Sequence, residues 1–92
     1  MKAWTMATIS NLTGIHALTA SKLAQKAASF KCDIHIRASD KVADAKNTVE
    51  LLSMGLIYNT DILIRAEGED SQEAIRELKA LIDSQFGEET YD

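Results

Sequence analysis

Along this chain the apolar residues recur first at every second position, then at every third or fourth, and the period keeps switching. Few folds accommodate such switching in 92 residues. From Ala3 to Ile9, Thr5, Ala7 and Ile9 fall on one side and Trp4, Met6 and Thr8 on the other, the pattern of a strand. Ser10 to Gly14 has turn composition. Ala20, Leu23, Ala24, Ala27 and Phe30 then return at helical spacing from a start at Ala17. Cys32 to Arg37 alternates again, with Ile34 and Ile36 opposite Asp33, His35 and Arg37. Ala38 to Lys41 is a hairpin turn without glycine, and a short strand follows over Val42 to Ala45. Asn47-Thr48-Val49-Glu50 has capping-box spacing, and Gly55 closes the short helix it opens. Asp61 to Ala66 is a strand with Ile62 and Ile64 inward. Asp70 and Glu73 repeat the capping box before a helical stripe of Ala74, Ile75, Leu78, Leu81, Ile82 and Phe86 that ends at Gly87. The order strand, helix, strand, strand, helix, strand, helix makes an α+β domain. A four-stranded sheet with three helices on one face, and its other face open, accounts for it. Pattern alone does not order the strands.

Size and charge narrow the function. Residues 1–92 are read as one domain, with 88–92 as a frayed tail. A net charge of -4 disfavours a dedicated nucleic-acid binder, which needs basic density to displace counterions from phosphates. Cys32 is the single cysteine, so no internal disulfide forms and a reducing, cytoplasmic setting is expected. No apolar run approaches the roughly 18 residues of a membrane span, so no membrane insertion is expected. The start MKAWTMATIS lacks the apolar core of a signal peptide.

The segment NLTGIHALTA carries the chemistry. Thr13 and Gly14 turn the chain, Ala17 begins a helix, and His16 falls at the N-cap. Helix-start amides lack intrahelical partners and carry partial positive charge. A phosphoryl group on the imidazole of His16 would meet the Ala17 and Leu18 amides, and imidazole is a nucleophile able to carry one. The plainer alternative is a surface histidine with no chemistry, and the residues alone leave it open. Pairing His16 with His35 or Cys32 matches no ligand spacing, so no metal is expected; nor is a cofactor. No nucleophile, base and oxyanion set for a hydrolase is visible.

NLTGIHALTA resembles the active-site segment of the HPr family, the histidine phosphocarriers of the bacterial sugar phosphotransferase system. KNTVELLSMGL resembles that family's second-helix segment, and AEGEDSQEAIREL its last turn and helix start. The resemblance runs from about residue 3 to 87 and implies an antiparallel open-faced β-sandwich. It also implies that His16 takes a phosphoryl group from an enzyme-I-like kinase and passes it to a sugar-permease-type acceptor protein. Such a chain is a stoichiometric carrier and not a turnover enzyme. Thr13, the Ala17 and Leu18 amides and Lys22 would attend the phosphate, while Ala17, Leu18, Ser21, Thr48, Val49 and Leu52 would dock partners. Two departures stand out. The family's Arg-Pro after His-Ala is Leu18-Thr19 here, which removes a cationic fork from the phosphate. Asn47 stands where some members carry a regulatory serine, so no serine-type control is expected. The loss of the arginine motivates a rival: a regulatory or binding module on the same fold, with weak or no transfer. On the open sheet face Trp4, Met6 and Leu63 form an apolar group beside His35, Arg37 and Arg65, a candidate homodimer surface.

Overall fold

The computed structural model describes residues 1–88. The strands are β1 (Lys2–Thr8), β2 (Asp33–Ala38), β3 (Lys41–Asp44) and β4 (Asp61–Glu67); the helices are α1 (Ala17–Ala28), α2 (Thr48–Ser53) and α3 (Ser71–Asp83). All but α3 lie within two residues of their expected bounds; α3 ends at Asp83, short of the Phe86 at which the expected stripe closes. One element was not anticipated: a 3-10 turn over Gln85–Gly87 follows α3. Gln85 and Phe86 both take left-handed backbone there, with φ of 60° and 59°. That turn drives Phe86, 1% exposed, back into the core.

The sheet is antiparallel throughout, in the order β1-β4-β2-β3. β4, last in sequence, fills the gap between β1 and β2. Its inward residues Ile62, Ile64 and Ala66 meet Ala7 and Ala3 of β1, and Ile34 and Ile36 of β2, beneath the helices. Ala20, Leu23, Ala24 and Ala27 of α1, Leu51 of α2, and Ala74, Leu78 and Ile82 of α3 complete the core. Burying a single isoleucine such as Ile64 is worth about 2–3 kcal/mol. α3 is the helix that lies directly against the sheet, over β1 and β4, whereas α1, expected to lie close to the sheet through its alanines, packs chiefly against α2 and α3. Trp4, Met6, His35, Arg37 and Arg65 stay exposed on the opposite face, with Leu63 half-buried among them. No helix among the described residues is long and apolar enough to cross a membrane.

Two expected capping boxes are corrected. At α2, Asn47 does cap: its Oδ1 accepts the Glu50 N–H at 3.1 Å. Glu50 does not return the bond, because its carboxylate accepts the Asp44 N–H at 3.0 Å and so ties α2 to β3. At α3, Asp70 makes no side-chain cap. Its carboxylate instead receives the Lys31 and Cys32 N–H groups, at 2.8 and 2.9 Å, and pins the α1–β2 loop. Those bonds favour the charged form. The Lys31 N–H, followed by the Cys32 side chain, holds the Asp70 carboxyl below its ordinary value of 3.8. Burial, with the Asp70 charge beside it, pushes the Cys32 thiol up to about 11 and leaves it unreactive.

The Asp70 clamp has a pH signature. Its folded-state pKa is depressed, so the stability it confers is present above the unfolded value and is lost as pH falls through the folded one. Asp70→Asn is expected to lower stability at pH 7 and to flatten the acid limb below about pH 4. Urea midpoints across pH 2–7 check it; parallel curves for the two proteins would sink the assignment.

Candidate functional site

The site is built where β1 hands the chain to α1. Gly14 takes a φ of 67°, a left-handed conformation in which glycine is at ease. Its backbone passes so close to the segment after α2 that a Cβ would lie 2.7 Å from the Leu56 carbonyl oxygen. The Ile15 N–H donates to that same oxygen at 2.8 Å. Segment 14–15 is thereby fixed against 56–57, and the next residue, His16, becomes the N-cap of α1.

His16 is held at both its backbone and its ring. Its Nδ1 accepts the Leu18 N–H at 3.3 Å, so the ring proton sits on Nε2 and the Nδ1 lone pair faces the helix start. Its backbone N–H donates to Thr19 Oγ1 at 3.0 Å, and that hydroxyl donates to the Gly14 carbonyl at 3.1 Å. Thr19 is fully buried. Standing where the family has proline, it completes a reciprocal cap and ties the turn to the helix. Its signal was visible: threonine three positions after the cap can return a bond to the cap's own amide.

Asn11, 2% exposed, organises the turn from below. Its Nδ2 donates to the Gly14 carbonyl at 2.8 Å, and lies 3.2 Å from both Thr13 Oγ1 and Glu88 Oε1. Thr13 Oγ1 lies 3.4 Å from each Glu88 carboxylate oxygen, and His16 Nε2 lies 3.8 Å from Oε1. Glu88, assigned to a frayed tail with residues 88–92, therefore belongs to the site; the remainder of that tail lies outside the described residues. Lys22, expected to attend the phosphate, donates from Nζ to the Phe86 carbonyl at 2.9 Å. Its amine braces the C-terminal turn against α1.

Ala17 and Leu18 lie exposed beside His16, and Val49 and Leu52 are exposed on α2, with Ser21 and Thr48 half-buried between. Leu12, Ile57 and Tyr58, absent from the expected surface, extend it as exposed apolar groups at 75%, 69% and 50%. The Gly14–Ile57 approach puts them beside the histidine loop. Among the described residues no group of three or more His, Cys, Asp or Glu side chains is placed to hold a metal.

Residues 5–84 match the PTS-HPr family, described as the PTS HPr component phosphorylation site. The chain belongs to the HPr family. It is 37% identical over 78 residues to the phosphocarrier protein HPr of Mycoplasma genitalium, covering 84% of this chain and 89% of that one. It is also 37% identical over 85 residues to a multiphosphoryl transfer protein of Xanthomonas campestris, covering 92% of this chain but spanning only 10% of that longer protein. Among solved structures, HPr-C-His from Thermoanaerobacter tengcongensis superposes with a TM-score of 0.91 at 35% identity, over 96% of this chain and 99% of that one. The chain is thus an HPr-type phosphocarrier of the phosphotransferase system, with Leu18-Thr19 in place of the Arg-Pro that the resemblance leads one to expect.

Proposed function

We propose that His16 is the phosphoryl acceptor of this carrier and that the group is carried on Nδ1. The supporting observation is the Leu18 N–H pointing at Nδ1, which puts the nucleophilic lone pair at the positive end of α1. The Ala17 and Leu18 amides are the donors for the phosphoryl oxygens, and Thr13 is a polar neighbour. Lys22 contributes through the turn it braces, and reaches the phosphate only by releasing Phe86. The donor is an enzyme-I-like kinase and the acceptor a sugar-permease-type protein, both cytoplasmic or facing the cytoplasm. They use in turn the surface of Ala17, Leu18, Ser21, Thr48, Val49 and Leu52, extended by Leu12, Ile57 and Tyr58. A small, mainly apolar contact suits partners that must exchange quickly. The protein turns over nothing by itself; one phosphoryl group enters and leaves per cycle. Asn47 keeps the α2 cap and offers no hydroxyl for serine-type control. A second copy pairing through the outer sheet face would use Trp4, Met6 and Leu63, where Met6 lies opposite Leu63 in register.

Phosphoenolpyruvate and an enzyme-I-type kinase test this, with intact mass and phosphorus NMR on wild type and Leu18→Arg. Acid-labile labelling of wild type on a ring nitrogen is expected. Leu18→Arg restores a cation at the phosphoryl oxygens and is expected to accelerate acceptance on the order of 30-fold or more, equivalent to about 2 kcal/mol. Wild type that stays unlabelled with its cognate donor, while Leu18→Arg is labelled, would overturn the carrier assignment in favour of a binding module.

A further inference from the structure

Glu88 lies on the far edge of the imidazole from the helix amides. Nδ1 is turned to Leu18 N–H, while Nε2 faces Glu88 Oε1 at 3.8 Å. A phosphoryl group on Nδ1 and a carboxylate at Nε2 therefore do not compete for space. The carboxylate is also placed by other groups: Asn11 Nδ2 at 3.2 Å and Thr13 Oγ1 at 3.4 Å hold it, and Phe86, buried two residues earlier, fixes the chain that delivers it. Asn11 is itself almost fully buried, so the anchor does not swing freely.

We propose that Glu88 is a positioning residue for phosphoryl acceptance: it holds the Nε2–H edge of His16, fixing the ring so that Nδ1 is the nucleophile, and it balances the positive charge the ring gains. The inference rests on His16 being the acceptor. In the step, the Nδ1 lone pair forms the new N–P bond as the donor's bond to phosphorus breaks. The donor's leaving atom keeps that bonding pair. The Nε2 proton stays on the ring, which becomes an imidazolium facing the Glu88 carboxylate. A carboxylate behind a histidine steadies the imidazolium that forms as the ring reacts, without taking its proton. At 3.8 Å the contact is loose in the resting protein and tightens as charge develops. Leu18 supplies no cation on the phosphoryl side, so charge management falls to the ring side.

The test uses Glu88→Gln and Glu88→Ala in the full chain. Glutamine keeps an oxygen for Asn11 and Thr13 but removes the charge; alanine removes both. Long-range nitrogen–proton NMR of the His16 ring is recorded, together with single-turnover acceptance from the phosphorylated kinase over a range of donor concentrations. The expected result is a displaced Nε2 resonance in both variants and a single-turnover rate lowered about 5- to 30-fold, with donor affinity unchanged. A general loosening of the fold would instead disturb backbone amides throughout and weaken donor binding. An unmoved Nε2 resonance, or an unchanged rate in both variants, overturns the role of Glu88 while leaving His16 the acceptor. Wild type that accepts no phosphoryl group overturns the acceptor assignment and the rate effect with it; the Nε2 resonance then still decides whether Glu88 holds the ring.

Discussion

His16→Ala is expected to abolish phosphoryl labelling and to leave the protein folded. The two effects separate because the cap of α1 has two halves. The side-chain half, Nδ1 accepting the Leu18 N–H, is lost with the imidazole. The other half is Thr19 Oγ1 accepting the N–H of residue 16, which alanine retains. Loss of one capping side chain costs about 0.5–2 kcal/mol, and the retained half argues for the lower end. A domain of this size is stable by several kcal/mol, so the variant stays native at 25 °C. Intact mass after exposure to phosphoenolpyruvate and kinase reads the label, and urea unfolding reads the fold. Acid-labile label persisting on a folded His16→Ala protein would move the acceptor elsewhere.

The second large effect is structural and falls on Gly14. Gly14→Ala is expected to lower stability by roughly 3 kcal/mol or more, against roughly 1 kcal/mol for Gly55→Ala. Both glycines have positive φ, 67° and 64°. They differ in what surrounds them. A Cβ at residue 55 meets nothing within 4 Å, so alanine there carries only the left-handed backbone penalty. A Cβ at residue 14 meets the Leu56 carbonyl oxygen at 2.7 Å and Ile57 Cα at 3.0 Å, both main-chain atoms that cannot rotate away. Relief requires parting segments 14–15 and 56–57, and with them the Ile15–Leu56 hydrogen bond. The Gly14 carbonyl, which receives both Asn11 and Thr19, moves too. Urea midpoints of the two variants measure the difference; equal midpoints would show that close approach costs nothing here.

What was legible in the sequence followed from local periodicity. Ile34 with Ile36 and Ile62 with Ile64 declare strands because a two-residue period has one meaning on a half-buried sheet. His16 was legible as a cap because Gly14 and the alanine-rich run around it bound a helix start. The expected boxes failed where a carboxylate had a better partner beyond its own helix. Asp70 serves Lys31 and Cys32, and Glu50 serves Asp44, in both cases amides left open by an adjoining turn or strand end. Lys22 and Glu88 were misplaced for a related reason. Their positions depend on the left-handed turn at Gln85–Phe86, two non-glycine residues whose conformation tertiary packing imposes against their local preference. Bonds that close only after the sheet assembles leave no periodic trace.

The strand order also bears on when, during folding, the loop that carries the histidine becomes ordered. β1 lies immediately before the histidine loop in sequence, yet among the described residues its one sheet partner is β4, where Thr8 faces Asp61 and Lys2 faces Glu67. The loop itself is clasped by later residues: Ile9 by Asn59 and Thr60, Ile15 by Leu56, Ser10 by Ile82, and Asn11 by Glu88. A nascent chain that has emerged only as far as α2 thus exposes His16 without the strand that orders it. Pairings of such high sequence separation form more slowly than local helical contacts. A chain in which β4 and the turn after α3 are not yet in place lacks the contacts that hold the histidine loop. The loop that carries His16 is thus held in place by contacts from segments far along the chain.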